Sequence, residues 1–343
     1  MRLPRRRVLT IYPNCSLGGM TTVYRNRAIA EPSVDFDFIF LRNFGGITSF
    51  NVLNNVNVTV IDHDNISEYL ATEIRKVEYD EIRITTLHEL VKKISSSKLI
   101  YEIHTSDFAT IGKEFCQLDL SHLDEIWVPS QYSLNLVLPF VPGQWAEKLK
   151  IVPNIVDTSI FCPEGTSLEF PQFGSVVRPL IWVGRFDRTK NFRDFLTVVA
   201  ELPTEYVGVM VASLENDVNR LAHVLYQIQS MRLERRIRIF FNVSQADMAG
   251  LYRFAVNRKG FFCSTSLSES FGYGVLEAAL TGLPVIAYDV GALPEHSKHN
   301  FSIQFVSPGD QFRFSKLICE SDWEFEHKKN RLGIIAYDAG SFM

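Results

Sequence analysis

The chain predicts an α/β protein of two domains built on parallel sheets. Three observations lead there. Its 343 residues exceed what one hydrophobic core usually serves. Short apolar runs alternate with amphipathic stretches, the pattern of βαβ units. Near Ile151-Val-Pro-Asn154 a proline sets a turn, and a loop rich in Pro, Gly and Ser follows over 162–177. The expected domains are residues 1–150 and 151–343.

In the first half, strands are expected at 8–12, 36–41, 56–61, 81–85, 99–103 and 125–128. Helices are expected at 66–76 and 87–94, and Ser130 is placed to cap a third. In the second half, strand 180–183 leads to a helix over 192–202. There Phe192, Phe195, Leu196 and Val199 fall on one apolar face. Strand 206–212, helix 217–230, strand 237–241 and helix 246–254 follow, then a buried strand over 260–264. An apolar helix then stops at Gly282-Leu-Pro284. A last helix is expected to begin over 322–329, with Gly333 and Gly340 weakening its continuation.

Bulk numbers exclude several classes. Hydrophobic residues make up 46% and charged residues 22%, an ordinary soluble composition. A net charge of −4 gives no reason to expect nucleic acid as a partner. The five cysteines are scattered with no C-x-x-C pair, which argues against a zinc site or a disulfide framework and fits a reducing, cytoplasmic compartment. No apolar run approaches the ~20 residues that span a bilayer. Arg2, Arg5, Arg6 and Arg7 read as a solvated basic end before the first strand, or as a peripheral contact with an anionic membrane.

The most informative stretch is Ser266-Leu-Ser-Glu-Ser-Phe-Gly-Tyr-Gly-Val-Leu-Glu277. Glu269 is expected on a strand-to-helix loop and Glu277 in the first turn of the following helix. Free backbone N–H groups of such a turn can meet an anion, and carboxylates can accept from vicinal hydroxyls. This combination suits a sugar nucleotide. Upstream, Arg185 and Lys190 follow a strand ending at Gly184. The carboxyl edge of an open α/β sheet is where ligands bind, and two cations there can clamp a diphosphate. Gly18-Gly19 follows the first strand, where glycine permits close backbone approach and positive φ. It does not match G-x-G-x-x-G, so no nicotinamide cofactor is inferred.

These motifs resemble the retaining GT-B glycosyltransferases of the family 4 type, the glycosyl transferases group 1. The E-x7-E pair, Ile181-Trp-Val-Gly-Arg185 with Lys190, and Val152-Pro-Asn-Ile-Val-Asp157 with Phe161 and Pro163 each have a counterpart in that family. So do Gly18-Gly19 and Val290-Gly-Ala-Leu-Pro-Glu295, all in the family's order. The resemblance implies a GT-B fold: two Rossmann-like domains facing a central cleft, acceptor on the first and activated sugar on the second. It also implies transfer of a hexose from a UDP- or GDP-linked sugar to a hydroxyl of a glycan, lipid, protein or small molecule, without a cofactor. Arg185 and Lys190 would neutralise the leaving diphosphate, Glu269 would face the sugar, and Glu277 would accept from the ribose hydroxyls. Phe271, Gly272 and Tyr273 would offer backbone N–H groups, and Asn242 and Val243 would meet the base. His104, at the end of strand 99–103, would line the donor-sugar pocket, with Asp107 a weaker candidate from the same loop.

Asp62-His63-Asp64 has the D-x-D form of a metal site, but the other motifs belong to a metal-independent class. His63, His88, His122 and His296 show no ligand spacing and are read as surface or structural. Two other functions stand beside transfer: a non-catalytic GT-B subunit that binds glycan or stabilises a partner transferase, and a phosphorylase or epimerase on a related substrate.

Overall fold

The computed structural model describes residues 5–73, 76–94, 98–170, 177–213 and 218–340. The chain divides into two compact units, residues 1–155 and 156–343. The division falls past the expected 150/151 because Leu149–Ile151 is still a strand of the first sheet.

The first unit carries seven parallel strands: β1 (Arg7–Ser16), β2 (Asp35–Phe44), β3 (Val56–Val60), β4 (Glu81–Thr85), β5 (Lys98–Glu102), β6 (Glu125–Val128) and β7 (Leu149–Ile151). Their order in space is β3-β2-β1-β4-β5-β6-β7. Helices α1 (Gly19–Ala30), α2 (Ile66–Glu73), α3 (Phe108–Phe115) and α4 (Gln131–Val137) connect them. The second unit carries β8 (Arg178–Val183), β9 (Tyr206–Ala212), β10 (Ile237–Phe241), β11 (Phe261–Ser264), β12 (Val285–Tyr288) and β13 (Ile303–Val306), in the order β10-β9-β8-β11-β12-β13. Its helices are α5 (Phe192–Glu201), α6 (Val218–Ser230), α7 (Gln245–Asn257), α8 (Tyr273–Leu280), α9 (Gln311–Glu320) and α10 (Trp323–Gly340).

Counted from its first strand, each sheet runs 3-2-1-4-5-6, the doubly wound Rossmann order, and the first sheet adds β7 as a seventh strand beside β6. The strand order reverses between β1 and β4 in one unit and between β8 and β11 in the other. Covering helices bury the strands on both faces, so β4 and β9 read as continuous buried runs.

Several expectations change. The helix expected over 87–94 is a 3-10 turn, His88–Lys93, entered from Thr86 at φ 64°. Such tight turns serve as short connectors where an α-helix has no room. Helix 66–76 is described only to Glu73, and residue 217, expected to open a helix, lies outside the described residues, as do Arg2 and 171–176 of the junction loop. The final helix does continue through Gly333. A Cβ there would sit 2.7 Å from the Phe301 ring, so the absent side chain lets α10 pack closely. Asn330 then donates to the Leu283 carbonyl at 2.8 Å and accepts from the Ser302 N–H at 2.7 Å, while Trp323 Nε1 donates to the Gly260 carbonyl at 2.8 Å. Helix α10 is thereby tied to the second unit's own core.

The basic N-terminus is engaged internally. Arg5 pairs with Asp35 at 3.2 Å, Arg6 with Glu81 at 2.7 Å and Arg7 with Asp37 at 2.7 Å. Among the described residues, no helix is long and apolar enough to cross a membrane. All five cysteines are free.

Candidate functional site

The second unit brings its predicted residues to the carboxyl ends of β8 and β11, the strands that flank its switch point. After β8, Asp187 organises the loop. Its Oδ1 accepts from the N–H groups of Thr189 at 2.9 Å and Lys190 at 3.0 Å, and its Oδ2 accepts from Arg185 Nε at 2.8 Å. Burial works against the Asp187 charge, but hydrogen bonds from Thr189 and Arg185 outweigh it and hold its pKa below the ordinary value. Arg185 is exposed. Gly184 admits the Lys190 stem, since a Cβ there would lie 2.9 Å from Lys190 Cγ.

Two hydrogen bonds stitch this loop to the one after β11. The Leu267 N–H donates to the Thr189 carbonyl at 2.7 Å, and Thr265 Oγ1 donates to the Asn191 carbonyl at 2.9 Å. Lys190 Nζ then meets Glu269 Oε1 at 2.5 Å, and Ser266 Oγ donates to the same oxygen at 2.8 Å. The pair is half-buried.

The segment after β12 holds the Glu269 loop from behind. Gly291 has φ 59°, and a Cβ on it would lie 2.1 Å from the Glu269 carbonyl oxygen, so glycine is required there. The next N–H, of Ala292, donates to that carbonyl at 2.9 Å. His296, left among the structural histidines by its spacing, is buried and hydrogen-bonded through Nε2 to the Phe271 carbonyl at 2.7 Å. Burial lowers its pKa, so the ring is neutral and Nε2–H is the donor. The spacing of His296 carries no signal for this contact; only packing reveals it.

Gly272 caps α8 at φ 88°, a left-handed conformation in which a Cβ would collide with Leu293. Helix α8 therefore begins at Tyr273, and its first N–H groups have no intrahelical acceptor. Glu277 consequently lies in the second turn, not the first as expected. It is only 8% exposed, and burial pushes its carboxyl up to about 8. Among the described residues nothing hydrogen-bonds its carboxylate. Asn242 and Val243 follow β10 at the same edge of the sheet; Asn242 adopts φ 53° and donates its N–H to the Ala212 carbonyl at 3.1 Å.

Gly18, Gly19 and His104 belong to the first unit. Gly18 caps α1 in extended conformation, and Gly19 is the first residue of the helix. Neither has the positive φ that glycine was expected to supply; Gly19 instead leaves open space, with nothing within 4 Å of a Cβ. His104 Nε2 donates to Glu102 Oε2 at 2.9 Å, and Arg27 of α1 donates to Glu102 Oε1 at 2.6 Å. Glu102 is fully buried, yet Arg27 and His104 overcome that burial and hold its carboxyl well below the usual range. Asp107 caps α3, accepting from the Thr110 N–H. Asp62, His63 and Asp64 are exposed, and no group of three or more His, Cys, Asp or Glu among the described residues could hold a metal ion.

Comparison with known proteins bears on the family and the fold. The family model for glycosyl transferases group 1 matches residues 177–321. A probable sucrose-phosphate synthase of Thermosipho melanesiensis is 26% identical over 210 residues, which are 57% of this chain and 44% of that protein. The chain thus spans less than half the length of this relative. Two solved structures share the fold over nearly the whole chain at 16% identity. Anabaena Alr3699/HepE in complex with UDP-glucose has a TM-score of 0.78 over 97% of this chain and 94% of that one. The sucrose-phosphate synthase of Thermosynechococcus elongatus has a TM-score of 0.74 over 98% and 94%. The two Rossmann-like units are those of the GT-B fold, and within the second of them residues 177–321 match the glycosyl transferases group 1 family.

Proposed function

We propose that the chain is a retaining, metal-independent glycosyltransferase that moves a hexose from a nucleoside diphosphate sugar to a hydroxyl acceptor. The observation that carries this reading is the convergence of Lys190, Glu269 and the glycine-capped start of α8 at one sheet edge, with buried Glu277 one turn further in. The group 1 family match and a relative named for sugar transfer support it, as does a fold neighbour whose structure was solved with UDP-glucose.

In the proposed reaction the bond from the anomeric carbon to the diphosphate oxygen breaks, and the diphosphate keeps the electron pair. The acceptor oxygen bonds to the same carbon on the same face. Its proton passes to the departing phosphate oxygen, so no protein base is nominated. Lys190 and Arg185 stabilise the charge growing on the diphosphate; Glu269 faces the sugar and Glu277 the ribose hydroxyls. On this reading the second unit takes the donor and the first the acceptor, and the enzyme works in a reducing cytoplasm.

Thermal shifts with UDP, GDP, ADP and dTDP test donor binding: about 100 Kd of the right ligand adds about 2.7 kcal/mol of stability. Transfer from the matching UDP- or GDP-hexose, followed by NMR of the product's anomeric proton, tests retention. Activity in excess EDTA tests metal independence; loss restored by manganese would return Asp62 and Asp64 to consideration. Donor binding without transfer or hydrolysis would favour the non-catalytic subunit.

A further inference from the structure

Tyr252 on α7 raises a question that core packing does not answer. Its ring is fully buried, near Phe161 at 6.2 Å between centroids and edge-on to Phe262 at 5.9 Å. Its hydroxyl is buried as well, and among the described residues nothing hydrogen-bonds it. An unsatisfied buried hydroxyl costs about 1–3 kcal/mol, which phenylalanine in the same space would avoid.

The position of that hydroxyl gives the answer. It lies 3.8 Å from the point that a Cβ on Gly274 would occupy. Gly274 and Glu277 are three residues apart on α8 and share a face. Helical side chains lean toward the N-terminus, so the Glu277 side chain reaches back over the turn that holds Gly274. Glycine at 274 leaves that place clear. The Glu277 side chain therefore shares that face of α8 with the Tyr252 hydroxyl; no hydrogen bond joins the two in the structure, and neither group has another partner among the described residues. Burial first, and then the Glu277 charge, keeps the phenol protonated, so it is the donor of the pair.

We propose that Tyr252 is a positioning residue for donor binding: as the donor binds and Glu277 ionises, its hydroxyl donates to the Glu277 carboxylate and aims the remaining lone pairs at a vicinal diol. This rests on the reading of Glu277 as the ribose acceptor. A carboxylate held from one side by a phenol presents its other lone pairs in one direction, which fits two adjacent hydroxyls better than one.

The test compares wild type, Tyr252→Phe, Glu277→Gln and the double variant, using a UDP- or GDP-hexose and its 2′-deoxyribose analogue. Tyr252→Phe is expected to raise donor KM by roughly ten- to a hundred-fold, the size of one hydrogen bond to a charged group, with a smaller effect on kcat. The double variant should be no worse than Glu277→Gln, and Tyr252→Phe should narrow the preference for ribose over 2′-deoxyribose. The ligand-free Tm should not fall. A raised KM in Glu277→Gln with wild-type KM in Tyr252→Phe overturns the proposal and leaves the ribose assignment standing. Wild-type KM in both removes the ribose assignment itself. A Tm lowered by several degrees in Tyr252→Phe assigns the hydroxyl to folding and also overturns the proposal.

Discussion

Lys190 and Glu269, 79 residues apart in sequence, form an ion pair of 2.5 Å where β8 and β11 end. The pair joins the two loops of the switch point, and each partner has a separate neighbour. Asp187 holds the Lys190 backbone, and Ser266 shares the Glu269 oxygen. The cation is thus fixed by its main chain and not by its ion pair alone. A negatively charged ligand can take over its head group without disordering the loop.

Lys190→Ala is expected to lower kcat by roughly 10²-fold, because it removes a preorganised charge from the leaving diphosphate. Arg185→Lys should also lose activity, since the planar fork has no equivalent in lysine. Arg185 is exposed, so Arg185→Lys should change urea stability by about 0.5 kcal/mol, whereas Lys190→Ala breaks a half-buried ion pair and should cost about 1 kcal/mol or more. Near wild-type turnover in folded Lys190→Ala protein would place the diphosphate elsewhere.

Glu277 makes stability and donor affinity depend on pH. Its folded carboxyl titrates at about 8 against an ordinary 4.5, so between those values the folded chain holds a proton that the unfolded chain has released. Stability therefore falls as pH rises through that window. Glu277→Gln removes this slope, and its urea stability relative to wild type should rise from pH 5 to pH 8 by on the order of 1 kcal/mol or more. Ribose hydroxyls favour the ionised form, so donor affinity should climb toward pH 8 with proton release on binding. Calorimetry in two buffers of different ionisation enthalpy measures that release; identical heats would remove Glu277 from the contact.

Gly291→Ala should disable the site through Glu269. The new Cβ would meet the Glu269 carbonyl at 2.1 Å, and φ 59° adds strain of about 1–3 kcal/mol. Displacing a positioned group by about 1 Å can cost 10²-fold in rate. The check is kcat together with Tm: activity should fall far more than the loss of folded protein accounts for.

Glu102→Gln should destabilise the first unit by about 3–5 kcal/mol, because it removes the carboxylate from a fully buried ion pair with Arg27. Urea unfolding monitored through Trp127, which lies beside Arg27, measures this. A loss below about 1 kcal/mol would mean that Arg27 finds another partner.

Much of the fold was legible from local pattern. Strands β4, β6, β9 and β10 begin and end at the expected residues, and β9 shows the reason most plainly: a parallel strand buried along its whole length is apolar throughout. Strands β7, β12 and β13, of three or four residues each, were not expected, and they become strands by pairing with neighbours. The continuation of α10 was also hidden, since helix propensity counts Gly333 as a cost and only its packing on Phe301 shows the gain.

The sequence by itself determined which residue types could serve a diphosphate sugar. Arg185, Lys190, Glu269 and Glu277 announce themselves by chemistry and spacing after apolar strands. The tertiary structure alone decided how they are held. Lys190 reaches Glu269 because β8 and β11 lie side by side, a relation that exists only once the sheet forms. The charge state of Glu277, the clasp of Gly291 and Ala292 on Glu269, and the contact of His296 with Phe271 all join residues distant in sequence or depend on burial. Burial and long-range hydrogen bonds are properties of the packed chain, and a linear pattern does not contain them.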